Sequence, residues 1–168
     1  TIVIMKKIRI IPRLDIKGNN LVKGIHLEGL RVLGKPSEFA YNYYIDGADE
    51  LLITDSVASL YDRNGLKDLI SETSKNVFIP ITVGGGIRSV SDISDILRSG
   101  ADKVSINTAA IKNPEFIKEA VKEFGSSTIT IAIEAIKKED GKFYAFTDNG
   151  RENTNLIASE WAKKVIDL

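Results

Sequence analysis

Pro80-Ile81-Thr82-Val83-Gly84-Gly85-Gly86 and Gly100-Ala101-Asp102-Lys103-Val104-Ser105-Ile106-Asn107-Thr108-Ala109-Ala110 share one design. Each is a short apolar strand that ends in small or hydrogen-bonding residues and passes at once into a helical pattern. In a parallel α/β protein this places backbone N–H groups and a helix N-terminus at the strand's carboxyl end, where phosphates bind. Two such units in tandem point to a phosphorylated small-molecule ligand.

Around them, strands and helices alternate from end to end. Ile8–Ile16 is apolar and β-branched and reads as the first strand, followed by a polar loop over Lys17–Lys35. Pro36-Ser37-Glu38 opens a helix to about Asp46. Leu51–Thr54 is the second strand, and Leu66, Leu69 and Ile70 give helical spacing within Asp62–Ser74. Phe78–Val83, Val104–Ile106 and Thr128–Ile136 are the third, fourth and fifth strands. Helices are expected over Val90–Arg98 and from Asn113-Pro114 to Phe124-Gly125. Lys137–Gly150 alternates around Asp140-Gly141, which signals a hairpin, and a last helix carries Trp161 as a core residue. Gly47-Ala48-Asp49-Glu50-Leu51 nearly repeats Gly100-Ala101-Asp102-Lys103-Val104. Either two units share an ancestor, or Gly-Ala-Asp is simply a good helix-to-strand turn.

Such alternation allows an open doubly wound sheet or a (β/α)8 TIM barrel. Polar residues gather at the strands' carboxyl ends and no G-x-G-x-x-G follows the first strand, so the barrel is expected. About five βα units are present in 168 residues, against ~250 for a whole barrel. The chain therefore reads as one partial TIM-barrel domain over 1–168, with the first and fifth strands left as open edges. Its start at Thr1 and the missing Gly stop after Leu168 also point to an incomplete chain.

Composition narrows the function. Lys plus Arg equals Asp plus Glu at 23 each, so neither nucleic acid nor a membrane surface is an expected partner. There is no cysteine for disulfides or thiolate chemistry. Apolar runs are strand-sized, below the ~20 residues of a membrane helix. Thr1–Met5 is too short for a signal-peptide core, so a cytoplasmic protein is expected. With neither an H-E-x-x-H nor an acidic pair beside a His, neither metal nor other cofactor is expected.

Asp15 stands in the last turn of the first strand, where barrel active sites are built, as a general acid–base or as a loop cap. Glu134 breaks the fifth strand's apolar run at the same height. It faces Asp15 across the barrel mouth, or points outward to Lys137 or Lys138. Asp55-Ser56 meets a substrate hydroxyl or caps a turn. Gly84, Gly85 and Gly86 read as a close approach for a phosphate or as a flexible turn, and Asn107 and Thr108 suit the same phosphate with side-chain and backbone donors. Lys23 and Arg88 neutralise a ligand or lie on the surface, and His26 reads as a surface residue.

Taken together, Leu14-Asp15-Ile16-Lys17, Val22-Lys23-Gly24, Thr82–Ile87 and above all Gly100–Ala110 resemble the cyclase subunit of imidazole glycerol phosphate synthase, along essentially the whole chain. The resemblance implies a (β/α)8 barrel of two similar halves. It implies a lyase of histidine biosynthesis that condenses ammonia with a phosphoribosyl-formimino-aminoimidazole-carboxamide ribotide, and a heterodimer with a glutaminase docked under the barrel. On it, Asp15 is one catalytic acid–base and Glu134 holds the place of the other, an Asp in the family. Lys23 and Asp55 line the pocket, and Gly86, Asn107 and Thr108 hold a phosphate. Arg9, Glu50 and Lys103 match the charged gate of the ammonia entrance, and Glu50 and Lys103 begin strands with opposite signs, so they can pair. A second phosphate grip belongs to sixth to eighth strands that this sequence does not contain. Glu134 is one methylene longer than Asp, and Arg13 stands where the family carries a small or apolar residue; a cation facing a carboxylate lowers its pKa. Both departures resemble cyclase-like partners of amidotransferases that amidinate sugars in surface-polysaccharide biosynthesis. A third reading is a half-barrel fragment that binds phosphate without catalysis.

Overall fold

A computed structural model describes residues 8–25, 29–56 and 63–168. The chain begins with β1 (Arg13–Lys17), an antiparallel pair β2 (Asn20–Ile25) and β3 (Gly29–Gly34), and α1 (Pro36–Ile45). Four units follow: β4 (Leu51–Asp55) with α2 (Arg63–Ser74), β5 (Ile81–Gly84) with α3 (Val90–Arg98), β6 (Lys103–Ile106) with α4 (Thr108–Lys112) and α5 (Glu115–Phe124), and β7 (Ile129–Ile131). The chain then forms β8 (Glu134–Lys137), β9 (Phe143–Thr147), β10 (Glu152–Ile157) and α6 (Ala158–Ile166). One sheet runs β3-β2-β1-β4-β5-β6-β7, and its last five strands are mutually parallel and in chain order. A doubly wound sheet reverses its strand order at a switch point; the absence of a reversal among these strands is the winding of a (β/α) barrel-type fold. The strands β8, β9 and β10 form a second, antiparallel sheet.

Register sorts the residues of the parallel strands into two faces. Leu14, Ile53, Val83, Val104 and Ile129 are aligned across the sheet, and the first four are almost wholly buried. They pack in one core with Ile70, Ile93, Ile96, Phe116 and Ile117 from α2, α3 and α5. Burying a side chain of this size is worth about 1.5–3 kcal/mol. Because side chains alternate along a strand, the next row, Asp15, Thr54, Gly84, Ser105 and Thr130, lies on the opposite face. Two residues earlier on that face run Arg13, Leu52, Thr82 and Lys103. One face thus holds the helices and the other carries the polar groups.

The two Gly-Ala-Asp segments do equivalent work. Gly47 and Gly100 take positive φ (92° and 114°) after α1 and α3, and Ala48 and Ala101 are buried. The Asp49 carboxylate accepts from the Ile10 N–H at 2.7 Å, as the Asp102 carboxylate accepts from the Ile81 N–H at 2.8 Å. Each Asp so ties its turn to the start of the neighbouring segment, which is the physical content of the repeat.

Several expected boundaries differ. The first strand begins at Arg13 rather than Ile8: Pro12 has no N–H for a ladder, and Ile8, Ile10 and Ile11 are exposed. The expected loop over 17–35 contains β2 and β3 instead, and this hairpin covers the edge of β1 that was expected to be open. The segment 128–136 is not one strand. After β7 the Ala132 N–H still bonds to the Ile106 carbonyl, but Glu134 already belongs to β8 of the second sheet. The Asp140-Gly141 hairpin forms, with Gly141 at φ 81°, and extends into an additional strand, β10. Trp161 is buried as expected. His26 and Asp62 lie outside the described residues. No helix among the described residues is long and apolar enough to cross a membrane.

Candidate active site

The carboxyl ends of β4, β5 and β6 open into a cavity of about 460 Å³. Its floor is Thr54, Gly84 and Ser105 of the polar row, and its walls include Asp55, Gly85, Gly86, Asn107, Thr108 and Glu134. Most of the predicted site is therefore in one place. Gly85, at φ 99°, is there because nothing larger fits: a Cβ would press on the Asp55 carbonyl oxygen and stand 2.9 Å from the Asp55 Cβ and N. A Cβ on Gly84 would likewise stand 3.1 Å from the Ser105 Cβ and carbonyl oxygen, so the glycine run lies close against the strands on both sides. The Ser89 side chain and Asp92 form a reciprocal capping box at the start of α3, just beyond the run.

Glu134 reaches the cavity because the chain leaves the first sheet at Ala132–Ile133. Its Oε2 is buried and has no hydrogen-bond partner among the described residues, and the same holds for Asn107 Oδ1. The alternative of an outward Glu134 paired with Lys137 or Lys138 does not describe this carboxylate. Lys138 instead lies 4.9 Å from the Tyr144 ring centre. Buried polar atoms without partners carry a desolvation cost that a ligand donor can relieve.

Asp15 sits beside the cavity rather than on its wall. Arg13 lines the cavity and its Nε donates to Asp15 Oδ1 at 2.7 Å, so the predicted cationic neighbour does face this carboxylate. Lys23 is exposed on β2 opposite Arg31, and is not among the lining residues. Arg88 is, together with Lys112, Asp148 and Asn149. The last three were missed by sequence reasoning, because no local motif signals that the β9–β10 hairpin folds back over the cavity. Lys112 Nζ lies 3.2 Å from Asp148 Oδ2. That hydrogen bond chiefly holds the Asp148 carboxyl below the usual range, against the smaller opposing effect of its desolvation.

At the other end of the same face, Glu50 is buried and ion-paired with both Arg9 and Lys103, the latter at 3.1 Å. Lys103 begins β6 and Glu50 immediately precedes β4, and the two meet across β5, which carries the buried Thr82. Ile10, Ile45 and Phe78, exposed at 66%, 61% and 76%, lie at the same amino-terminal end of the sheet.

The histidine biosynthesis protein family matches residues 9–168 of this chain. A Legionella pneumophila protein named imidazole glycerol phosphate synthase subunit HisF is 56% identical over 159 residues, which covers 95% of this chain and 75% of the relative. Proteins of the same name from an Exiguobacterium species and from Prochlorococcus marinus are each 49% identical, across 98% of this chain. The chain spans 64% and 65% of their lengths.

Proposed function

The chain belongs to the histidine biosynthesis protein family, among relatives named imidazole glycerol phosphate synthase subunit HisF, and from this we propose an ammonia-dependent cyclase. Its substrate is a phosphoribosyl-formimino-aminoimidazole-carboxamide ribotide, and its products are imidazole glycerol phosphate and aminoimidazole carboxamide ribotide. The observation that carries this reading is the cavity itself, a glycine run against three strand ends with a buried, unpartnered carboxylate oxygen of Glu134 facing in.

The division of labour follows from position. Gly84–Gly86, Asn107 and Thr108 receive a phosphate of the substrate, and Asp55 takes a hydroxyl. Glu134 and Asp15 move protons on and off the substrate's nitrogens and hydroxyls. General acid–base groups contribute about 10²–10⁴ in rate when held in reach of the reacting atoms. Glu134 is suited to this because its buried oxygen is not committed to a protein donor among the described residues. Asp15 is ordered by Arg13, which fixes its carboxylate beside the cavity.

Ammonia enters at the opposite end, between Arg9, Glu50 and Lys103, supplied by a glutaminase subunit seated on the exposed Ile10, Ile45 and Phe78. A buried carboxylate bridged by two cations is a closed polar gate, and apolar groups around it suit a protein partner. Replacing Glu50 by Gln is expected to lower glutamine-driven turnover about tenfold or more in the partnered enzyme. Turnover with free ammonium should change less than about threefold, because misplacement at the entrance does not disturb the reacting groups. Equal loss with both nitrogen sources contradicts the gate.

The substrate is tested by offering the ribotide and, separately, a nucleotide-linked amino sugar, each with ammonium salt. The ribotide is consumed and the sugar is not. The resemblance expects Asp where Glu134 stands, and a shift of about 1 Å in a catalytic group can cost about 10² in rate. Glu134→Asp is therefore expected to raise ribotide cyclisation by about 10–100-fold. Amidination of the sugar, with no ribotide turnover by either form, overturns the assignment.

A further inference from the structure

Of the four residues that join β9 to β10, the first three, Asp148-Asn149-Gly150, form the tip and stand at positive φ, 53°, 59° and 75°. Asp and Asn tolerate that conformation better than other side chains, but it still needs outside support. Among the described residues, the hydrogen bonds that tie this tip to the rest of the fold go to the cavity or its edge. The Asp148 N–H donates to Thr108 Oγ1 at 3.1 Å, and the Asn149 side-chain amide donates to the Ser56 carbonyl at 3.0 Å. Just before the tip, the Asn107 side-chain amide donates to the Phe146 carbonyl at 3.2 Å. The Asp148 carboxylate takes the Lys112 ammonium.

That ion pair contributes little to the fold. The two side chains are 60% and 42% exposed, and the hydrogen bonds to Thr108 and Ser56 hold the tip without it. Its location is what distinguishes it. Both partners line the cavity that holds the glycine run, so a negative charge is already seated where an anion has to enter. Two other cations line the same cavity, Arg13, already bound to Asp15, and Arg88.

We propose that Asp148 is a resident competitor for the phosphate, and that an arriving phosphate takes the Lys112 ammonium from it. Lys112 is then a phosphate-binding residue, and the 148–150 tip is the element that yields to let the ligand in. The need for displacement favours a phosphate dianion over singly charged anions, since the higher charge gains more from the Lys112 ammonium than a single charge does. The proposal rests on the reading of the cavity as a phosphate site.

Titration calorimetry with inorganic phosphate, at fixed pH and ionic strength, tests it on the wild-type chain, Asp148→Asn, Lys112→Met, the double variant and Thr108→Val. Asn fits the left-handed position, so Asp148→Asn removes charge without new strain. A partly exposed pair is worth up to about 1 kcal/mol, which is about fivefold in affinity. Asp148→Asn should therefore bind phosphate about fivefold more tightly, and Lys112→Met more weakly than wild type. In the Lys112→Met background the gain from Asp148→Asn should fall below about twofold, because the released ammonium is its source. An undiminished gain in that background means simple repulsion and overturns the proposal. Phosphate binding that Thr108→Val weakens and Asp148→Asn leaves unchanged keeps the cavity reading and overturns the competitor. Folded wild type and Asp148→Asn that both bind no phosphate overturn both.

Discussion

Glu134→Gln is expected to lower ammonia-dependent cyclisation by about 10²–10⁴, with phosphate affinity and thermal stability close to wild type. The substitution keeps the shape of the side chain and removes its capacity to exchange a proton. Stability should hold because Oε2 has no hydrogen-bond partner among the described residues to lose. Phosphate affinity should hold because the proposed grip is elsewhere in the cavity lining, on the glycine run and on Asn107 and Thr108. Asp15→Asn should also abolish turnover with binding nearly intact, and full activity in that variant removes Asp15 from the mechanism. The pair separates two positions: Glu134 lines the cavity, while Asp15 stands beside it, bound to the lining Arg13. Steady-state rates beside a phosphate titration read both quantities. A loss of phosphate binding as large as the loss of rate in Glu134→Gln contradicts the assignment.

Gly85→Ala is the second large effect, and it acts on the fold and the site together. At φ 99° an L side chain is strained, and the new Cβ would stand 2.9 Å from the backbone N and the Cβ of Asp55. No rotamer change relieves contact with a strand's own backbone, so β4 and β5 must separate at their carboxyl ends. Strain of about 1–3 kcal/mol and overpacking of similar size are expected. For a domain of this length the two together lower Tm by about 4–24 °C, with phosphate binding lost. Gly29→Ala is the control: its Cβ meets nothing within 4 Å, and it should be near neutral. Thermal melts of the two variants check this, and a Gly85→Ala protein with wild-type Tm and phosphate affinity contradicts the close packing described.

The parts legible in the sequence are those where one local rule acts alone. The runs Leu51–Thr54 and Val104–Ile106 and the punctuated helix Val90–Arg98 announce themselves; the strands extend one residue further, to Asp55 and back to Lys103, and these elements position the glycine run and Asn107. The β2–β3 hairpin reads as loop in the sequence, because β3 is exposed along nearly its whole length and carries no apolar stripe for a core. Leu30 and Val32, two apart, were the available signal. α4 is foreseen only as a helical pattern directly after the fourth strand, without bounds, because five residues are too few to show a full helical period. The split of 128–136 into β7 and β8 was invisible for a different reason. Ile131, Ala132 and Ile133 are as apolar as a continuous strand, and only the second sheet drawing Glu134 away decides the break. The same tertiary event brings Asp148 and Lys112 into the cavity from positions 36 residues apart, which no spacing rule foresees. The ion pair of Glu50 and Lys103 was foreseen, because opposite charges at equivalent points of a repeated turn are a local pattern.

The most direct test of the central claim is turnover of the ribotide by the wild-type chain with ammonium salt as the only nitrogen source. Products are separated by anion exchange and identified by mass. Equimolar imidazole glycerol phosphate and aminoimidazole carboxamide ribotide, formed in proportion to ammonia and lost in Glu134→Gln, is the predicted result. A folded chain that binds phosphate but leaves the ribotide unconsumed at saturating ammonium contradicts the account.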